Sequence, residues 1–112
     1  MAEPCQPFEA AMSLLGRRWA GAVVRAMLGG ASRFGEIRSE LPGITDAVLT
    51  TRLRELCSLG LATREVSPAS PVQVHYRLTA AGRDLRPVLE AIEEYGAKHE
   101  PLLRRAPSGR RA

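Results

Sequence analysis

Hydrophobic positions recur at two periods along the chain. Phe8, Ala11, Met12 and Leu15 are spaced as one face of a helix, which predicts a short first helix ending at Gly16. Trp19, Val23, Ala26 and Met27 give an inner face to a second helix from about Arg18 to Leu28, stopped by Gly29 and Gly30. Ser32-Arg33-Phe34 reads as a brief strand. Gly35 then serves as N-cap of a third, short helix with Phe34, Ile37 and Leu41 turned inward. Leu41-Pro42-Gly43-Ile44 is a tight-turn signal. A fourth helix opens at Thr45, a good N-cap, followed by Asp46, whose charge suits the helix dipole. Leu49, Leu53 and Leu56 form its buried stripe, and Gly60 closes it.

The period then changes to two. Segments at about 61–66 and 72–78 read as strands joined by the stiff Ser67-Pro68-Ala69-Ser70-Pro71 connection. In the second strand Val72, Val74, Tyr76 and Leu78 take one face, and Gln73, His75 and Arg77 the other. Thr79 can cap a last long helix running to about His99, with Leu85, Val88, Leu89, Ile92, Tyr95 and Gly96 along one side. Pro87 should kink or divide it. The fold class is therefore mainly α with a small β-hairpin (α+β). A short helix, a tight turn and a longer helix make a helix-turn-helix, and the hairpin directly after it makes the wing, about 66–74.

The chain has 112 residues, enough for one domain over 1–103, with a basic tail over 104–112 expected to be disordered. Hydrophobic content of 45% supplies a core, and aromatic content of 4% makes it one of Leu, Val, Ile and Ala. No apolar run is long enough for a membrane span and no signal-peptide core opens the chain, so the expected location is the cytoplasm, with no membrane partner. The net charge is +4, and of 16 basic residues only Lys98 is a lysine. Arginine suits bidentate contact with phosphate and guanine, although a GC-rich genome also enriches it. Cys5 and Cys57 are far apart and form no CxxC pair, which argues against a structural zinc site or a disulfide framework. Only two histidines occur, His75 and His99, and no acid–base pair, phosphate loop or metal-ligand spacing is visible; neither an enzyme nor a cofactor is expected.

Opposite its leucines, the fourth helix carries Ala47, Thr51 and Arg54, with Thr50 and Ser58 close by. These are small, hydroxylated or basic, a surface that can enter a major groove without repelling phosphate. Thr45, Asp46, Ala47, Thr50 and Thr51 are expected near the bases, with Arg54 on guanine or phosphate. Arg17, and Ser70 and Gln73 in the wing, complete the expected DNA contacts. An ordinary solvated helix face is the competing reading.

The chain resembles the HxlR family of bacterial winged-helix transcriptional regulators. The resemblance rests on Leu15-Gly16-Arg17-Arg18-Trp19, Ser32-Arg33-Phe34-Gly35-Glu36-Ile37 and Leu41-Pro42-Gly43-Ile44-Thr45. It continues through Leu49-Thr50-Thr51-Arg52-Leu53-Arg54-Glu55-Leu56, Gly60-Leu61 and Tyr76-Arg77-Leu78-Thr79-Ala80-Ala81-Gly82. Together these cover about residues 5–99, in order. What the resemblance implies is a homodimer, usually a repressor, that binds an imperfect palindrome in a double-stranded operator. Its recognition helix would be about 45–59, and its first and last helices would dimerise. Phe8, Met12, Val88, Ile92 and Tyr95 are the residues expected at that interface. Three positions depart from the family's habit: Gln73 stands where a basic wing residue is common, Ala47 where a basic or polar one is, and His75, read as exposed, where an acid often lies.

Some family members sense oxidants through an N-terminal cysteine, which makes Cys5 the candidate regulatory residue; Cys57 is expected to be inert packing. A small-molecule effector in an apolar pocket at the dimer interface, near Met12, Trp19 and Tyr95, is an alternative signal. Among rival functions, a winged-helix protein-interaction module stands first. RNA binding is a distant third for want of aromatic stacking surface.

Overall fold

The computed structural model describes residues 5–104. Its elements are α1 (Gln6–Leu15), α2 (Ala20–Leu28), α3 (Phe34–Ser39), α4 (Asp46–Ser58), β1 (Ala62–Ser67), β2 (Gln73–Leu78), α5 (Ala80–Arg83), α6 (Arg86–Lys98) and α7 (Glu100–Arg104). Val23 and Val24 of α2, Ile37 of α3, and Leu49, Leu53 and Leu56 of α4 are the most deeply buried side chains. The core is thus a three-helix packing of branched aliphatic residues. Ala62 closes it from β1 and Leu89 from α6.

Helix α2 starts two residues later than its periodicity predicts. Trp19 is left-handed (φ 74°), which ends the turn after α1 and breaks the helical path at that point. A left-handed backbone is costly for a residue with a Cβ. Here the indole packs against the core, and the Arg18 guanidinium lies 5.7 Å from its centroid.

The expected strand at 32–34 is not formed, and Gly35 is not the N-cap of α3. Phe34 is already helical and Arg33, in extended conformation, is the N-cap. The reason is Glu36: its Oε1 accepts the N–H of Ser32 at 3.1 Å and of Arg33 at 3.0 Å, satisfying donors at the helix start from within the first turn. Hydrogen bonds from the Arg33 and Ser32 backbone hold the Glu36 carboxyl below the ordinary carboxylate range. What remains of the strand is one bond, Tyr76 N–H to the Ser32 carbonyl at 2.7 Å.

That bond lays the segment before α3 across β2, which explains a second difference. His75 is half-buried rather than exposed, and its Nδ1 lies 2.8 Å from Ser32 Oγ. The hairpin itself is antiparallel, from Ala62 opposite Leu78 to Ser67 opposite Gln73.

Helix α4 forms as read. Thr45 is extended and its Oγ1 accepts the Val48 N–H at 3.2 Å. Helix α4 ends at Ser58, and Gly60 turns the chain with φ +79°, a conformation glycine adopts without strain. The last helix is divided, as Pro87 requires. Thr79 caps the one-turn α5 by accepting the Gly82 N–H at 3.2 Å, and Pro87 sits in the first turn of α6. Helix α7 was not read from the sequence, and it takes in Arg104 of the expected tail; positions 105–112 lie outside the described residues.

The radius of gyration is 16.0 Å, against about 13 Å for a compact domain of this size, so the molecule is elongated. Its terminal helices α1 and α7 contain no buried residue.

Candidate nucleic-acid interface

Burial of Leu49, Leu53 and Leu56 fixes the rotation of α4 and turns its other side to solvent. Thr45, Asp46, Ala47, Thr51 and Arg54 are all exposed on it, and Thr50 is half-buried at its margin. Thr51 Oγ1 donates to the Ala47 carbonyl at 3.0 Å, within the helix.

Helix α4 has two acidic residues, and each is ion-paired to arginine. Asp46 Oδ1 accepts from Arg38 Nη1 at 2.8 Å. Glu55 accepts from Arg52 Nη1 at 2.9 Å and from Arg17 Nη1 at 3.3 Å. The exposed face therefore carries no uncompensated negative charge. Arg54 makes no hydrogen bond or ion pair among the described residues, and its guanidinium is free for an outside partner.

Arg17 and Ser70 are exposed, while Gln73 is half-buried with its Oε1 3.4 Å from His75 Nε2. The wing is the β1–β2 hairpin and its 68–72 loop, packed against α4 through β1. In it Arg77 Nε donates to Glu65 Oε1 at 3.0 Å, leaving Arg64 as an exposed wing cation. The expected groove-facing residues of α4 thus share one surface, with Arg17 tied to it through Glu55.

Sequence reasoning missed Arg38 and Arg52. Arg52 was hidden in the middle of α4, between residues of the buried stripe and the exposed face. Arg38 lies on a different helix from Asp46, and only the 41–44 turn brings them together. The one signal in the chain was the four-residue spacing of Phe34 and Arg38, which puts the guanidinium 5.9 Å from the phenyl centroid.

Cys5 is exposed and caps the start of α1, its carbonyl accepting the Glu9 N–H at 2.9 Å. Cys57 is half-buried on α4, and burial pushes its thiol above the ordinary range, against the pull of Arg64. Two clefts lie between α2 and α6, of 450 Å³ and 380 Å³, bordered by Ala22, Arg25, Leu89 and Glu93. Met12, Trp19 and Tyr95 line neither, and Met12 and Tyr95 are exposed in the single chain. Among the described residues no helix is long and apolar enough to cross a membrane.

A buried three-helix core, a tight turn before α4 and a two-stranded hairpin after it define a winged helix-turn-helix transcriptional regulator. The chain belongs to the HxlR-like helix-turn-helix family, whose model matches residues 14–103. It is 38% identical over 96 residues to the HTH-type transcriptional regulator YvaP of Bacillus subtilis, covering 86% of this chain and 89% of YvaP. YodB of the same organism, also an HTH-type transcriptional regulator, is 37% identical over 91 residues, 81% of each chain. Among solved structures, the redox regulator HypR in its reduced form superposes with a TM-score of 0.80 at 37% identity, over 88% of this chain and 97% of HypR. The reduced form of B. subtilis YodB superposes with a TM-score of 0.75 at 36% identity, over 84% of this chain and 92% of that one.

Proposed function

We propose that the protein is a homodimeric, sequence-specific DNA-binding regulator, most simply a repressor, that works in the cytoplasm and catalyses no reaction. In this reading α4 enters the major groove of each half of an imperfect palindrome. Thr45, Asp46, Ala47, Thr50 and Thr51 lie near base edges, and Arg54 reaches guanine or phosphate. Arg17, Ser70 and Gln73 flank them, and the wing lies on the adjoining groove. The observation that carries the reading is the charge arrangement of α4: both acids are neutralised by arginines while Arg54 is left open.

Dimerisation through α1 and α6 follows from exposed apolar surface. Phe8 (59% exposed), Met12, Val88, Ile92 (54%) and Tyr95 (60%) are open to water in the single chain. Helix α1 meets the core only through the half-buried Leu14 and Leu15 at its end and has no fully buried residue, and a ten-residue helix is marginal in water without packing. A second copy laid against it supplies that packing.

Control by an oxidant acting on Cys5 fits the exposure of that thiol and the likeness to HypR, named a redox regulator. A Cys5→Ser variant that still releases DNA on oxidation would contradict it.

The test of the function is titration of the protein against the duplex beside its own gene at two salt concentrations. Tight binding that weakens steeply with salt supports the regulator. No binding to any duplex at low salt contradicts it and favours a protein-interaction module.

A further inference from the structure

We propose that Arg38 and Asp46 form a base-reading unit, in which Arg38 positions the Asp46 carboxylate to accept a hydrogen bond from the amino group of a cytosine in the major groove. This rests on the reading of α4 as the recognition helix.

Three observations lead to it. First, Asp46 is not spent on the helix start, since Thr45 Oγ1 already takes the Val48 N–H. Second, one carboxylate oxygen is held: Oδ1 receives Arg38 Nη1 at 2.8 Å, while Oδ2 has no partner among the described residues. The Asp46 side chain is 66% exposed, so this second oxygen is open to an outside donor. Third, Arg38 is itself braced. Its guanidinium lies over Phe34, and Phe34 packs against the core. Phe34, Arg38 and Asp46 thus form a chain from the packed interior to the exposed start of α4.

An unpaired carboxylate at that place would repel phosphate. Paired with Arg38 it adds no net charge yet keeps a lone-pair acceptor, and an ionised carboxylate is an acceptor only. In the major groove cytosine offers a lone amino donor, whereas guanine and thymine present acceptors to the same approach. Arg38 is a positioning residue here, and Asp46 makes the contact.

The experiment is selection of duplexes from a random pool by the full-length wild type, Asp46→Asn, Arg38→Ala and Arg38→Lys. Affinities for the selected duplex, for its single-base variants and for an unrelated duplex at low salt then follow. Wild type is expected to prefer cytosine at one position of each half-site by roughly five- to a hundredfold. Asp46→Asn should shift that preference toward adenine, which an amide matches with both donor and acceptor. Arg38→Ala should lose it and also bind the unrelated duplex more weakly, because the bared Asp46 carboxylate repels phosphate, and Arg38→Lys should restore part of both. An Arg38→Ala protein that keeps the cytosine preference and loses only salt dependence would make Arg38 a phosphate contact and overturn the proposal. So would Asp46→Asn with an unaltered preference. A wild type that selects no sequence at all would contradict the recognition-helix reading itself, a distinct failure that takes this proposal with it.

Discussion

Arg52 Nε donates to the main-chain carbonyl oxygen of Arg18 at 2.8 Å, tying α4 to the turn between α1 and α2. The same guanidinium reaches Glu55, which also holds Arg17 from that turn. The Arg52 side chain is only 17% exposed, so its bonds are poorly replaced by water. Arg52→Ala is expected to lower stability by about 1.5–3 kcal/mol, the range for hydrogen bonds to a charged group. Arg52→Lys should recover little, because an ammonium lacks the fork that serves both partners. Urea unfolding of the three proteins measures this; equal midpoints would show that the tie contributes nothing.

Gly82 lies where α5 crosses the start of β1. A Cβ built there would stand 2.1 Å from the Leu61 carbonyl oxygen and 3.0 Å from Leu78 Cδ2. Alanine normally stabilises a helical position by about 1 kcal/mol relative to glycine. Gly82→Ala is expected to do the reverse and destabilise by about 1–3 kcal/mol, since rigid backbone must move to admit the methyl group. Thermal melts decide the sign: a raised melting temperature would mean that α5 yields without cost.

Glu36 links the start of α3 to pH. Its carboxyl is held below the ordinary carboxylate range because the backbone N–H groups of Arg33 and Ser32 favour the charged form. A group whose folded value is depressed adds stability above its unfolded value and loses it as pH falls through the folded one. Glu36→Gln should therefore be less stable than wild type at neutral pH by an amount that shrinks below about pH 4.5 and vanishes once both are neutral. Chemical unfolding across that range tests it. A gap that stays constant to pH 2 would assign the difference to shape rather than charge.

Ile92 stands in the middle of the exposed stripe of α6, between Val88 and Tyr95. Ile92→Glu places a charge where the second copy is expected to pack, while the single-domain core is untouched. Sedimentation should show a monomer at concentrations where wild type is expected to dimerise, and affinity for a palindromic duplex should fall with it. A variant that remains dimeric would move the interface away from α6.

The helices of the core were legible because their burial stripes are set by 3.6-residue spacing, and Leu49, Leu53 and Leu56 sit in the structure as that spacing requires. Thr45 was legible as a cap for a local reason: its own side chain reaches the third residue on. The misread places share one cause, dependence on a distant partner. The 32–34 segment became a helix lead-in because Glu36 turns back on it, and His75 lost its exposure because that segment crosses β2. Trp19 keeps a left-handed backbone through packing that no local pattern encodes. At the site, the exposed residues of α4 followed from its periodicity, whereas Arg38 and Arg52 reach partners across chain turns, Asp46 and the Arg18 carbonyl, that local spacing does not reveal.

The measurement that bears most directly on function compares wild type with Arg54→Ala on the duplex beside the gene over a range of salt. Wild type is expected to lose roughly a thousandfold or more in affinity between about 50 and 200 mM salt, as for a dimer that neutralises several phosphates. Arg54→Ala should bind more weakly at every salt, because the one unpaired arginine of α4 is gone. Wild-type binding without a salt slope, or Arg54→Ala binding as tightly as wild type, would contradict the placing of α4 in the groove.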